Sequence, residues 1–470
     1  MFNSSQMPTK ASVQFWLLAA FLVIVFSTGG SSRSDVQSVA ILYPASILFC
    51  GAALATLKIS TLANNKVVFI GIGFLFLMML LQRVIMWPAL AAQTAPADVG
   101  AIWGAIGPDT NGQYLSLVPS SGLHSTAAIA TPLAILLLGV QLSWIDISRL
   151  LPIVIVLGSV SGFMGISQII SNPNGPLYLY RITNNGSAVG LFANRNHSAT
   201  LLSCLFPMLA LYASTRDGTT REQRVRHISC IAVGIVILPL ILITGSRSGL
   251  LTGVVGLAGA AIMYNRSNST FERHSKKLKK VIPKMNILVG IAIIGLGLLT
   301  YFFDRAQAIE RLFLDDVSGD NRRAGFLIVS LDLFWKYFPI GSGSESFATV
   351  YQMAEPDRLL NPSRLNRAHN DWIEFAVTFG ALGLMMLAAM VSYYCVRLFF
   401  LWQSANAAKL SVQRARMAAI AISMIALASI SDYPLRTPIM ASVFSILILW
   451  FMEVGKPLNK EIFKAAAGRA

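Results

Sequence analysis

Charge is what this chain has least of. Only 12% of its 470 residues are charged, about half the share of a soluble globular chain. That excludes an ordinary water-facing surface over most of the molecule. Cysteine is also scarce. Cys50, Cys204, Cys230 and Cys395 all fall inside apolar runs. They show neither metal spacing nor a disulfide framework and read as small hydrophobes. There is no H-E-x-x-H and no D-x-D, and the one acidic group expected on the outer face is Asp315, Asp316 and Asp320, so no metalloenzyme signature is present. Repeats and low-complexity tracts are missing too. No A-x-A-type site follows the first apolar run, residues 11–28, and another run comes soon after. A retained first span is therefore expected rather than a cleaved signal.

What is present is hydrocarbon: 55% hydrophobic residues and a mean hydropathy of +0.63. Roughly 20 apolar residues cross a bilayer as a helix. Candidate spans lie near residues 11–29, 36–57, 66–86, 125–144, 150–170, 196–213, 227–244, 248–264, 286–303, 372–398, 415–431 and 437–453. The expected fold is all-α, a single polytopic membrane domain over residues 1–470 with about 12 transmembrane helices. An even count puts both termini on one side. If that side is the cytoplasm, inside segments carry 23 Lys and Arg against six outside, leaving aside the long segment 304–370. The bias sets the orientation. It also accounts for the formal charge of +16, with contact to anionic membrane lipids as a side effect at the cluster from Arg273 to Lys284. No nucleic acid is expected.

Two outer segments exceed plain turns. Residues 87–124 are rich in Pro, Gly, Ala and Ser, and Asp98, Asp109 and His124 within them form no metal-ligand set. Residues 304–370 form a large, partly helical loop between the ninth and tenth spans. In it, Phe326, Leu327, Val329, Leu331, Leu333 and Phe334 predict a short helix on the membrane face, ended by Pro339-Ile340-Gly341-Ser342-Gly343. Asp315, Asp316 and Asp320 read as a solvated turn, with a weak Mg²⁺ role as the alternative.

The informative residues are those outside cations that sit against the charge bias. Arg195 lies in Gly190-Leu191-Phe192-Ala193-Asn194-Arg195-Asn196-His197, Arg247 in Thr244-Gly245-Ser246-Arg247-Ser248-Gly249, and Arg436 in Ser431-Asp432-Tyr433-Pro434-Leu435-Arg436-Thr437-Pro438. His369 and Asn370 stand at the end of a polar segment. Asp371 and Glu374 follow with the spacing of a capping box, which predicts a helix start. Under the assigned topology, the spans beside these four residues begin on the outer side and present positive dipole ends there. Arginine forks at such ends suit phosphate oxygens, and a diphosphate on a lipid carrier fits the site and its depth. Each residue also has a plainer reading. Arg195 and Arg436 suit snorkelling to headgroups or pairing with a carboxylate such as Asp432. Arg247 has less latitude in its tight turn. His197 caps or lines the site, and His227 and His274 read as solvated. His369 is either a polar residue ending a loop or, titrating near neutrality, a proton acceptor.

At these residues the chain resembles the O-antigen ligase and polymerase superfamily of bacterial membrane glycosyltransferases. The blocks are Gly190 to His197, Thr244 to Leu251, Arg322 through Phe347, Arg367 to Gly383, and Ser431 to Pro438, in order, with residues 190–438 as the ligase-like region. The resemblance implies metal-independent, cofactor-free transfer of a glycan from undecaprenyl diphosphate to an acceptor hydroxyl at the periplasmic face of the inner membrane. It implies that Arg195, Arg247 and one of Arg322 or Arg323 bind the diphosphate and that His369 activates the acceptor. Asn370 and Arg436 are taken as further substrate contacts. The chain departs from the family where a Trp often follows the loop arginine by four residues, because Phe326 or Leu327 stands there. The acceptor is lipid A-core for a ligase and a lipid-linked glycan for the alternative, an O-antigen or exopolysaccharide polymerase. A transporter of lipid-linked glycans is the alternative class. It calls for broken spans and ionisable residues near the midplane, whereas the odd charges here cluster at one lip.

Overall fold

The computed structural model describes residues 11–82, 116–118, 122–215, 217–269, 317–360, 365–404 and 409–453. Every regular element among them is helical. In chain order they are α1 (Val13–Thr28), α2 (Val39–Thr56), α3 (Ile59–Asn64), α4 (Lys66–Leu81), α5 (Gly122–Gly139), α6 (Trp144–Ile170) and α7 (Arg195–Ser214). Then come α8 (Thr220–Ile243), α9 (Arg247–Ser269), α10 (Val317–Tyr337), α11 (Phe347–Ala354), α12 (Asp371–Gln403), α13 (Leu410–Ser431) and α14 (Pro438–Met452). Short 3₁₀ turns occupy Asp357–Leu359 and Pro434–Arg436. Seven helices (α2, α6, α7, α8, α9, α12 and α13) are long and apolar enough to cross a membrane, and α1, α4, α5 and α14 are shorter and apolar. The expected span at 286–303, the cluster from Arg273 to Lys284 and most of residues 87–124 lie outside the described residues. Each other expected span coincides with a helix.

Helix starts differ from the hydropathy boundaries because caps, not apolar content, define them. α6 begins at Trp144 rather than 150, where the Ser143 hydroxyl accepts from Asp146 N at 3.1 Å. α8 begins at Thr220, where Thr219 and Glu222 form a capping box. The expected Asp371/Glu374 box does not form. Asn370 is the N-cap of α12 and accepts from Ile373 N at 3.0 Å, and both carboxylates are used elsewhere.

The bundle is organised around α7, 78% of whose apolar window is buried against 22% for α2 and α8. Hydroxyls along α7 bond back to its own carbonyls, Thr200 to Asn196 O at 2.8 Å and Ser203 to Ala199 O at 2.8 Å. This lets polar residues sit in an apolar interior without an unmet group. α9 packs closely along α7 through small residues, with Gly249 against Ala199, Gly256 against Ser203 and Phe206, and Gly259 against Pro207.

Opposite ends of the bundle are pinned differently. At the first end Trp450 Nε1 donates to Ile147 O at 3.0 Å and Ser12 N to Asp146 at 3.4 Å. Arg414 pairs with Glu453, and Arg397 and Arg416 donate to the carbonyls of Phe451 and Leu401. At the second end Ala193 N donates to Gly30 O and Ile439 N to Gly29 O. The starts of α7, α9, α12 and α14 meet here.

α12 is not one continuous helix. Gly380 has φ 56° and ψ −138° and breaks it. The turn after α10 fills the break. Ser342 N donates to Val377 O at 2.9 Å, Gly343 N to Thr378 O at 3.0 Å, and Ala381 N to Pro339 O at 2.7 Å. Gln82 adds a bond from Nε2 to Thr378 O and accepts from Ser344 N. The freed backbone groups of a span are thus met by protein, as hydrocarbon requires. The break carries no ionisable residue, unlike the broken spans a transporter calls for. The helix expected over Asn321 to Tyr337 is α10, and it packs on α12 and α11.

Candidate active site

Four chain segments build the second-end site. The first is the start of α7. Asn194 caps it, accepting from Asn196 N at 2.8 Å, and thereby turns the side-chain amides of Asn194 and Asn196 toward one carboxylate. That carboxylate is Asp432, in the connection from α13 to α14 and 1% exposed. Its Oδ2 accepts from Asn194 Nδ2 at 3.1 Å and from Asn196 Nδ2 at 2.6 Å, and its Oδ1 accepts from Tyr433 N at 2.9 Å.

Two imidazoles share Asp432. His369 Nδ1 stands 3.3 Å from its Oδ1, and the His197 Nε2 stands 3.7 Å from the same atom. His197 is 1% exposed, whereas the His369 side chain is 30% exposed. Tyr433 lies between them, with ring centroids 5.1 Å from His197 and 4.9 Å from His369. Burial alone would push the Asp432 carboxyl up, but the charge and hydrogen bonding of His197 and His369 hold it well below the usual carboxylate range. Burial and then the Asp432 charge push the Tyr433 phenol up.

His369 sits at φ 51°, a left-handed conformation that costs a non-glycine residue. The residues on either side impose it. Arg367 donates to Glu374 Oε1 at 3.0 Å and pairs with Glu345 at 2.9 Å. Burial works against the Arg367 charge, and Glu374 and Glu345 outweigh it, so its pKa is raised. After His369, Asn370 Nδ2 donates to Ile430 O at 2.9 Å. Asp371 accepts from Ser429 Oγ at 3.0 Å and Leu435 N at 3.3 Å.

The structure brings Arg195, His369, Asn370 and Arg436 to one end of the bundle, and the close packing of α9 on α7 carries Arg247 to the same level. Arg195 and Arg247 are the first residues of their helices. Arg436 does pair with carboxylates, though not with Asp432. It stands 3.2 Å from Glu374, 3.5 Å from Glu345 and 3.6 Å from Asp371. The side chains of Arg322 and Arg323, on α10, lie outside the described residues. Among the described residues no three His, Cys, Asp or Glu side chains form a metal-binding group.

Sequence reasoning missed Asp432, Arg367, Glu345 and Glu374. Asp432 carries a usable signal, since it is an acid directly after an apolar run, four residues before Arg436. Glu345 had none, because only the docked turn, with Glu345 at φ 60°, aims it at two arginines.

Chemically, a proton on His369 Nδ1 facing Asp432 leaves Nε2, across the ring, as a basic lone pair. Asp432 then compensates the imidazolium that forms when Nε2 takes a proton. Helix starts bearing arginine at the same end suit an anionic group. Residues 231–388 match the family model described as O-antigen ligase, and no curated protein matches the chain. The matched stretch holds Arg247, Glu345, Arg367, His369, Asn370 and Glu374, while Arg195, His197, Asp432 and Arg436 join the site from outside it. Over residues 231–388, about a third of its length, the chain is similar to the O-antigen ligase family.

Proposed function

We propose that the protein is an O-antigen ligase-like glycosyltransferase. In this reading it moves a glycan from undecaprenyl diphosphate to a hydroxyl of lipid A-core at the periplasmic face of the bacterial inner membrane. The observation that carries it is the 3.3 Å approach of His369 Nδ1 to buried Asp432 at the end where arginine-headed helices meet. His369 Nε2 takes the acceptor proton as the hydroxyl oxygen attacks the anomeric carbon. The bond from that carbon to the diphosphate oxygen breaks, and its electron pair leaves with the lipid diphosphate. Arg195, Arg247, one of Arg322 or Arg323 and the helix N-termini stabilise the charge developing there. No second carboxylate is needed, because diphosphate leaves more readily than a sugar alkoxide. Asn370, as N-cap, and Arg436, already shared among three carboxylates, border the substrate. The reading assigns no metal and no cofactor.

It also keeps 12 spans with both termini cytoplasmic. The described chain leaves the first end in α9, and the end of α10 is bonded to α12 in its outer part.

Deleting the gene and analysing the glycans tests the reaction. Polysaccharide lost from lipid A-core while lipid-linked polymer accumulates is the expected result. Retention of single repeat units only would make the protein a polymerase with a lipid-linked acceptor, and an unchanged glycan profile would overturn both. In a membrane transfer assay His369→Ala should lose about 10²–10⁴-fold in rate, and near-normal transfer at equal protein level would remove the base assignment.

A further inference from the structure

Glu374 has no part in the reaction above, yet its carboxylate is more heavily engaged than a helix-surface acid needs. It is 1% exposed, inside the first turn of α12. Oε1 accepts from Arg367 Nη1 at 3.0 Å and stands 3.2 Å from Arg436 Nη2. Oε2 accepts from the main-chain N–H of Ala368 at 2.9 Å. These donors come from two connections, one leading into α12 and one into α14. Glu345 bridges the same two arginines, at 2.9 Å and 3.5 Å, so the turn after α10 belongs to the same network.

Ala368 is the residue before His369, whose φ of 51° persists only where neighbours over-determine it. The N-cap Asn370 fixes the chain on the far side of His369 through Ile373 N and Ile430 O. On the near side, Glu374 accepts from Ala368 N and from Arg367, which Glu345 and the Ser32 carbonyl also hold. An acid that merely offset a buried guanidinium would need Arg367 alone; this one also holds the peptide N–H adjacent to the strained residue.

We propose that Glu374 is the positioning residue of the site: by binding Ala368 N, Arg367 and Arg436 together it holds His369 in the left-handed conformation that presents its imidazole to Asp432. The inference rests on His369 being the base. In Glu374→Gln one oxygen and an NH2 replace the two oxygens that serve Ala368 N, Arg367 and Arg436. Arg367 and Arg436 keep Glu345 and Asp371 as partners, but the chain before His369 is held less firmly, so the imidazole leaves the position from which Nε2 reaches the acceptor. Binding of the donor is expected to survive, because Glu374 repels rather than attracts a diphosphate. The effect should therefore fall on kcat.

The test uses full-length protein in membranes. Glu374→Gln should lower kcat by about tenfold or more with donor KM within about twofold. The reactivity of His369 toward diethyl pyrocarbonate, read by peptide mass spectrometry, should change with it, while buried His197 serves as the internal reference. A kcat within about twofold of wild type overturns the proposal, and so does a lowered kcat with His369 reactivity unchanged. If Glu374→Gln does not accumulate, Arg367→Lys keeps the positive charge but not the fork. It should show the same paired change, and unaltered His369 reactivity overturns the proposal there too. His369→Ala separates the two failures. An active His369→Ala removes the base reading, whereas an inactive one beside a normal Glu374→Gln removes only the positioning role.

Discussion

Asp432 shows how one buried charge acquires its role from its surroundings. Two asparagine amides, a main-chain N–H and two imidazoles face it, so its ionised form is favoured despite complete burial. A carboxyl whose folded pKa is depressed adds stability above its unfolded value, and that stability is lost as pH falls through the lower folded value. Thermal unfolding of detergent-solubilised protein should therefore show no Asp432 component between about pH 5 and 8 and a loss below about pH 4. Asp432→Asn should lack that acid component and cut transfer by about 10²–10³-fold, because the imidazolium loses its counter-charge. Activity near wild type in that variant would detach Asp432 from His369. Arg247 is the residue-scale test of the leaving group. Arg247→Lys keeps the charge and loses the fork, so transfer should fall by about tenfold or more, and full activity would remove the diphosphate role.

At the scale of elements, the broken α12 matters most. Gly380 and Gly341, both at positive φ, lie against one another's backbone, which lets the turn after α10 enter a span and send Glu345 to the lip. A methyl at Gly380 would run into Pro339 O and Gly341 N. Gly380→Ala should therefore cost about 1–3 kcal/mol from conformation alone, seen as a lowered melting temperature together with reduced transfer. Gly234→Ala, in the middle of α8 with nothing nearby, is the control and should be neutral or stabilising by up to about 1 kcal/mol. Equal losses in both would mean that the break has no special role. α7 is the other organising element. With 78% of its apolar window buried, its N-cap is a firm mount for Asp432, whereas a helix exposed to lipid on one face would hold those asparagines less firmly.

Across the whole molecule, the site gathers chain ends far apart in sequence, from the turn after α1 to the start of α14. The turn after α1 contributes Gly29 and Gly30 as backbone anchors. Topology is what aligns these ends, and it can be measured directly. A reporter fused after Lys277 should report cytoplasm, and an outside signal there would invert the molecule and move the site to the wrong face.

Class and architecture follow from composition. Little charge and apolar runs of about 20 residues point to helices across a bilayer, since every backbone group in hydrocarbon must be met within the chain and a helix meets them within each run. The residues that stand out against that pattern, Arg195, Arg247 and Arg436, with His369 ahead of a helix start, are legible for a related reason: ionisable groups beside hydrocarbon are costly. What tertiary structure alone decided is their partners. Arg436 faces Glu345, Glu374 and Asp371 rather than Asp432, and His369 faces Asp432, 63 positions further along. Glu374 leaves the cap for which its spacing suited it and takes two arginines instead. Spacing along one helix predicts neighbours on that helix. Which helix ends meet is set by side-chain packing across the bundle and by the break at Gly380, and that information is spread over the entire chain rather than written in any one stretch.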